Sequence, residues 1–306
     1  MVDSVSPKLV RGFLRSDGTP NFSSAVYSKP NELEYIIHKP AFSITQRSPI
    51  VRAIDLMLSK AVRRLPVTDA NGRLKGIMTA TDIVNFLGGG EYYNIVRLKH
   101  GGRFFSALYE PVESIMSRDV VSAVVTEKFS CVLERMIAEN VGAIPVVSKE
   151  GSLLGIITEY DVVRYLSGRA MTESVSDWMT RNPVVAPPTI SIKSAARLMI
   201  SNGFRRLPVM KGDLVLGMVT TVDILRYIGE GSAFRKLLLD EMDQVLSAPV
   251  SEVMRMGTII VKSDVQLGEV APLIKTSGVG AVLVEEAGEV KGILTERDLL
   301  AALAIE

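Results

Sequence analysis

Four threonines in the chain are each followed three residues later by an aspartate: Thr79 and Asp82, Thr158 and Asp161, Thr220 and Asp223, Thr295 and Asp298. Each pair closes a run of one glycine and two apolar residues, in GIMTATD, GIITEYD, GMVTTVD and GILTERD. Two chemistries fit. As a capping box, the threonine bonds the amide three residues on and the acid reaches back, which stabilises a helix start by about 1 kcal/mol without any ligand. As a binding device, the helix start offers amides and a hydroxyl to a phosphate, while the carboxylate accepts bonds from two vicinal ribose hydroxyls. A box ordinarily uses Glu or Gln, whereas all four acids here are Asp, whose shorter side chain suits an approach to a sugar edge. The glycine three residues ahead of each threonine leaves room for a ligand, and is equally an ordinary strand-turn glycine. Both chemistries stay open at this level.

The elements that position these pairs repeat with them. Upstream lie RRLPV (Arg63 to Val67), GAIPV (Gly142 to Val146), RRLPV (Arg205 to Val209) and GAVLV (Gly280 to Val284). Pro66, Pro145, Pro208 and Leu283 are equivalent, and Met57, Met136, Met199 and Ile274 stand nine residues before them. Each copy reads as a short apolar strand, a helix with apolar residues at three-and-four spacing (Ile50, Ala53, Ile54, Met57, Leu58), two strands around a polar turn such as Asn71-Gly72, and a second helix opening at the Thr-Asp pair. That is an α/β unit of order strand-helix-strand-strand-helix, and one such copy leaves a sheet face to be covered by another. Copies one and three share the Arg-Arg form and copies two and four share Val-Gly-Ala, so a pair duplicated once explains the order.

On these motifs the chain resembles a protein of four cystathionine-β-synthase (CBS) domains in two pseudo-symmetric tandem pairs, of the kind found in the γ subunit of AMP-activated protein kinase. The expected domains are 31–88, 110–168, 173–229 and 248–306, with 1–30 an unassigned N-terminal segment. The resemblance implies a non-enzymatic regulatory protein that binds AMP, ADP or ATP, with S-adenosylmethionine as the rival ligand and a ligand-free scaffold as the alternative. It implies that each site takes a first strand and a pre-Pro segment from one copy and Thr and Asp from its partner. One cleft then combines His38, Arg63 and Arg64 with Thr158 and Asp161, and its duplicate Thr180, Arg205 and Arg206 with Thr295 and Asp298. The others combine Ser117, Gly142 and Ala143 with Thr79 and Asp82, and Arg255, Gly280 and Ala281 with Thr220 and Asp223. The family places a hydroxyl near the adenine, which Thr180 and Ser117 supply and His38 and Arg255 do not. The arginines offer cationic forks for phosphate oxygens.

Bulk properties narrow the field. The 35 basic and 34 acidic residues nearly cancel, so no broad basic surface calls for nucleic acid. Uncharged stretches fall short of the roughly 20 residues that span a bilayer, and neither membrane insertion nor a signal peptide is expected. Cys131 is the only cysteine, which excludes a disulfide framework and points to a cytoplasmic home. It falls on the apolar face of a helix and reads as core. His38 and His100 are the only histidines, too few for a metal site, and His100 reads as a solvated linker residue. Gly88 to Gly90 reads as a helix stop, and Trp178 as packing. A protein partner, or a second copy bound through the CBS faces, is expected beside the nucleotide.

Overall fold

The structure is a computed structural model that describes residues 32–166, 171–231 and 239–305; the segment 1–30 lies outside them. The repeat appears as four β-hairpins of antiparallel strands: Arg64–Thr68 with Leu74–Thr79, Ala143–Val147 with Leu153–Thr158, Arg206–Lys211 with Leu214–Thr220, and Ala281–Glu286 with Glu289–Thr295. All four carry a register shift at the same place, between Val67/Thr68, Val146/Val147, Val209/Met210 and Val284/Glu285. The proline inside the first hairpin strand costs no bond to the hairpin partner, only the one to the short parallel neighbour that Leu283, its equivalent in copy four, makes to the Ile259 carbonyl at 2.9 Å. In copy three the Pro208 carbonyl accepts from the Ala186 amide, so the missing N–H lies on the side of that short parallel neighbour and away from the hairpin partner.

One helix of each copy covers its sheet through the same stripe. Ile50, Ala53, Ile54 and Met57 are buried in copy one, Phe129, Val132, Leu133 and Met136 in copy two, Ile192, Ala195, Ala196 and Met199 in copy three, and Leu267, Val270, Ala271 and Ile274 in copy four. The spacing i, i+3, i+4, i+7 puts the four side chains on one face. Cys131 lies two residues into that repeat from Phe129, on the opposite face, and is exposed; the expectation of a core cysteine fails because about 200° of helical rotation turns it outward.

The chain forms two compact units that cut across the order of the copies. Of the described residues, one unit comprises those within Phe42–Val120 and Val184–Gly257, and the other those up to Ala41, within Val121–Pro183 and from Thr258 onward. Copies one and three build the core of the first unit, and copies two and four that of the second. In the first unit, a Cβ on Gly229 would stand 2.7 Å from Leu58 Cδ1 and 3.0 Å from Ile54 Cγ2, and one on Gly89 would stand 2.7 Å from Ile200 Cγ1. These glycines permit close helix packing. Gly88, at φ 144°, marks the end of the helical run as expected. In the second unit Trp178 is half-buried against the core.

The tandem pairing shows in the segments that lead into each copy, because each is exchanged onto the sheet of its neighbour. His38, ahead of copy one, bridges Ile156 of copy two, and Ser117, ahead of copy two, bridges Ile77 of copy one. Thr180 pairs with Ile293, and Arg255 with Met218, so copies three and four exchange in the same way.

Candidate functional site

Each Thr-Asp pair stands where the hairpin ends and a helix begins. Thr79 has extended backbone (φ −119°, ψ 163°) and leads directly into the helix Ala80–Val84. The Asp82 amide donates to Thr79 Oγ1 at 3.2 Å, and Asp82 Oδ2 accepts from the Thr79 amide at 2.7 Å and from the Thr79 hydroxyl at 2.8 Å. Thr158 and Asp161 repeat the three bonds at 3.4, 2.9 and 2.6 Å, and Thr220 and Asp223 at 3.3, 2.9 and 2.6 Å. Asp298 Oδ2 takes the Thr295 amide and hydroxyl, both at 2.8 Å. The capping box is therefore complete in the first three copies, and in the fourth Asp298 reaches back to Thr295. Reaching back consumes one oxygen of each carboxylate. For Asp82 and Asp161, Oδ1 accepts no hydrogen bond among the described residues. Burial raises the pKa of Asp82 above its ordinary 3.8, against the lowering effect of the Thr79 hydrogen bonds, which describes a carboxylate with fewer donors than its surroundings require.

The exchanged segments bring the expected first-strand residues to these helix starts. Ser117 and Ile77 exchange amide-to-carbonyl bonds of 2.9 Å, two residues before Thr79. The His38 amide donates to the Ile156 carbonyl at 3.0 Å, two residues before Thr158. Thr180 stands opposite Ile293, two residues before Thr295, and Arg255 opposite Met218, two before Thr220. Ser117, His38 and Thr180 are exposed.

The same crossing explains the glycine of the motif, and corrects the reading that it leaves room for a ligand. A Cβ on Gly76 would meet Met116 Sδ at 2.7 Å and the Ser117 carbonyl oxygen at 2.9 Å, and one on Gly155 the His38 carbonyl oxygen at 2.9 Å. One on Gly217 would collide with the Arg255 carbonyl oxygen, and one on Gly292 with Met179 Sδ. The glycine lets the neighbour's leading segment lie against the strand.

The pre-Pro residues are held beside their own copy's helix start. The amide after each threonine donates back across the hairpin: Ala80 to Arg63, Glu159 to Gly142, Thr221 to Arg205 and Glu296 to Gly280, at 2.9 to 3.3 Å. Arg64 stands opposite Thr79 and Arg206 opposite Thr220, where copies two and four put Ala143 and Ala281. All four arginines are half-buried. The copies thus differ in charge at one fixed place.

Asp223 is unlike the other acids. Its side chain is 0% exposed, and its Oδ1 accepts from Arg226 Nη1 at 2.7 Å and from Arg255 Nε at 2.9 Å. Arg226 escaped the sequence reading, although an arginine three residues after an acid on one helix is a recognisable ion-pair spacing. His100 also departs from expectation. Its side chain is only 10% exposed, with Nε2 2.7 Å from Glu110 Oε2 and Nδ1 2.8 Å from Ser106 Oγ. Glu110 accepts from Lys99 and Ser114 too, and these bonds outweigh its burial and lower its pKa. Among the described residues no cluster of His, Cys, Asp and Glu could hold a metal ion, and no helix is long and apolar enough to cross a membrane.

Comparison with known proteins agrees with this architecture. The CBS domain model matches residues 33–89, 112–168, 175–230 and 250–305, and the chain belongs to the CBS domain family. It is 35% identical over 266 residues to the uncharacterized protein MJ1225 of Methanocaldococcus jannaschii, covering 86% of this chain and 95% of that one. The solved structure of MJ1225, proposed as an archaeal homolog of g-AMPK, matches with a TM-score of 0.82 and 34% identity over 87% of this chain and 98% of its own. An uncharacterized 33.4 kDa protein of Thermofilum pendens is 29% identical over 264 residues, 86% of this chain and 88% of that one. A conserved protein of Pyrococcus horikoshii shares the fold at a TM-score of 0.56, with 19% identity over 88% of this chain and 97% of its own.

Proposed function

We propose that the chain is a non-enzymatic, cytoplasmic regulatory protein that senses adenine nucleotides, AMP, ADP or ATP, at its Thr-Asp helix starts. The observation that carries this reading is the division of labour within the carboxylate. Asp82 and Asp161 give Oδ2 to the cap and keep Oδ1 for a donor pair, next to an exposed residue delivered by the neighbouring copy. A ribose offers that donor pair in its two vicinal hydroxyls. Ser117 and His38 then flank the base, as does Thr180 beside Thr295 and Asp298. Arg63, Arg64, Arg205 and Arg206 are the proposed cationic contacts to phosphate oxygens. Micromolar binding amounts to roughly 8 kcal/mol, of which only the part that differs between two conformations can signal.

The closed capping boxes favour a second reading, in which the motifs only start helices and the protein is a scaffold for a partner or a second copy of itself. Calorimetry with AMP, ADP, ATP, S-adenosylmethionine and 2′,3′-dideoxyadenosine monophosphate separates the two. The nucleotide reading expects AMP to bind and the dideoxy analogue to bind at least tenfold more weakly. Heat from S-adenosylmethionine alone would move the ligand identity to that nucleoside, and no heat from any of them leaves the scaffold.

A further inference from the structure

We infer that the Asp223 site is occupied by the protein's own guanidinium groups, so that Arg255 sets how many nucleotides the chain can take. The inference rests on the ribose-binding reading of the other acids. Both oxygens of Asp223 are spoken for: Oδ2 accepts from the Thr220 amide and hydroxyl, and Oδ1 from Arg226 and Arg255. The side chain is wholly buried beneath these donors. Arg255 stands at the place in the exchanged segment that Ser117 and Thr180 hold in theirs. Its backbone is fixed there by the pairing with Met218 and by the close approach of its carbonyl to Gly217. From that anchor Nε reaches the oxygen that a ribose diol would need.

The two arginines contribute differently. Arg226 belongs to the same helix as Asp223 and has a second acid within reach, Glu230 at 3.5 Å, so it can turn away and stay paired. Arg255 comes from the neighbouring copy, carries a positive charge where Ser117 and Thr180 carry none, and blocks the approach of a sugar as well as its bonding. A diol that displaced it would exchange a charge-assisted bond to a buried carboxylate for a neutral donor, which is unfavourable.

Native mass spectrometry of the full chain at saturating AMP counts the sites. The variant Arg255→Ser, alone and with Arg226→Ala, is expected to bind one AMP more than the wild type, and adding Asp223→Asn should abolish the extra one. An unchanged count in both variants, with AMP bound by the wild type, overturns the inference and leaves the nucleotide reading intact. If the wild type binds no AMP, the nucleotide reading has failed. The closure is then decided by a thermal-melting cycle over Arg255→Ser, Asp223→Asn and their combination. Shifts of the single variants that do not add in the double support an Arg255–Asp223 clasp, and additive shifts refute it.

Discussion

In the proposed function Asp82 does two jobs with two oxygens, and a conservative change separates them. In Asp82→Asn the amide oxygen still accepts from the Thr79 amide and hydroxyl, so the helix start survives, while a charged acceptor for the ligand is lost. We expect AMP binding at that site to weaken by on the order of 2 to 3 kcal/mol, with melting at neutral pH unchanged or slightly raised. An unchanged affinity with an earlier melt would assign Asp82 to the cap alone. Its raised pKa fixes a sign. Because the folded value lies above the unfolded one, the group's contribution to stability is full below the ordinary 3.8 and fades as pH rises through the folded value. A diol that binds the ionised form should therefore bind better as pH climbs through the same window, and Asp82→Asn should flatten that dependence in a pH-resolved titration.

The arginines allow a cleaner test of phosphate than of adenosine. Changing Arg205 and Arg206 to alanine should weaken AMP, and weaken ADP and ATP further, while adenosine is little affected. The loss should shrink with salt, since the side chains are only half-buried. Equal losses for adenosine and its phosphates would make them supports of the hairpin. Their identity and recurrence were plain in the sequence, and so was the Thr-Asp spacing. The pairing of Asp223 with Arg255 was not, because 32 positions of chain separate the two and nothing in a local pattern aims one at the other.

Among the elements, the exchanged segments are the ones that join fold to site. Gly76→Ala would place a methyl carbon 2.9 Å from the Ser117 backbone oxygen, a neighbour that cannot rotate away. We expect a loss of about 1 to 3 kcal/mol in denaturant unfolding, together with weaker binding at Asp82, because the segment carrying Ser117 has to shift. Gly72 lies in the turn at φ 75°, and a Cβ there would meet no atom within 4 Å. Gly72→Ala should therefore lose stability through backbone strain alone and leave binding unaltered. The linker helix Tyr93–His100 is tied to its unit through Lys99 and His100 on buried Glu110. The lowered pKa of Glu110 means that its contribution is present above the ordinary 4.5 and lost as pH falls through the folded value. Glu110→Gln should remove that part of the acid sensitivity and cost about 1 to 3 kcal/mol at neutral pH.

At the scale of the molecule, tandem order and packing order differ. Copies adjacent in sequence exchange segments, whereas the apolar cores join copies one and three, and copies two and four. Separate halves, residues 1–170 and 171–306, would each contain only part of both cores. The helix Ile50–Ser59, for instance, would lose the helix Thr221–Gly229 that packs on it through Gly229. We expect neither half to remain monomeric in sedimentation, and the two to combine when mixed. Two stable monomers would show that each tandem half closes a core of its own. Unequal copies also predict that AMP binding does not fit a single class of identical sites.

The sequence by itself determined the fourfold repeat, the hairpin with its proline, the helix stripes and the capping boxes. These are set by periodicity and by bonds three or four residues apart, so a short window contains all the residues that decide them. Tertiary structure alone decided why each motif needs its glycine, which carboxylate keeps an open oxygen, that His100 is held on buried Glu110 and that Cys131 faces out. Those outcomes depend on which distant segment comes to lie against each strand, and packing selects that segment from many with the same local pattern.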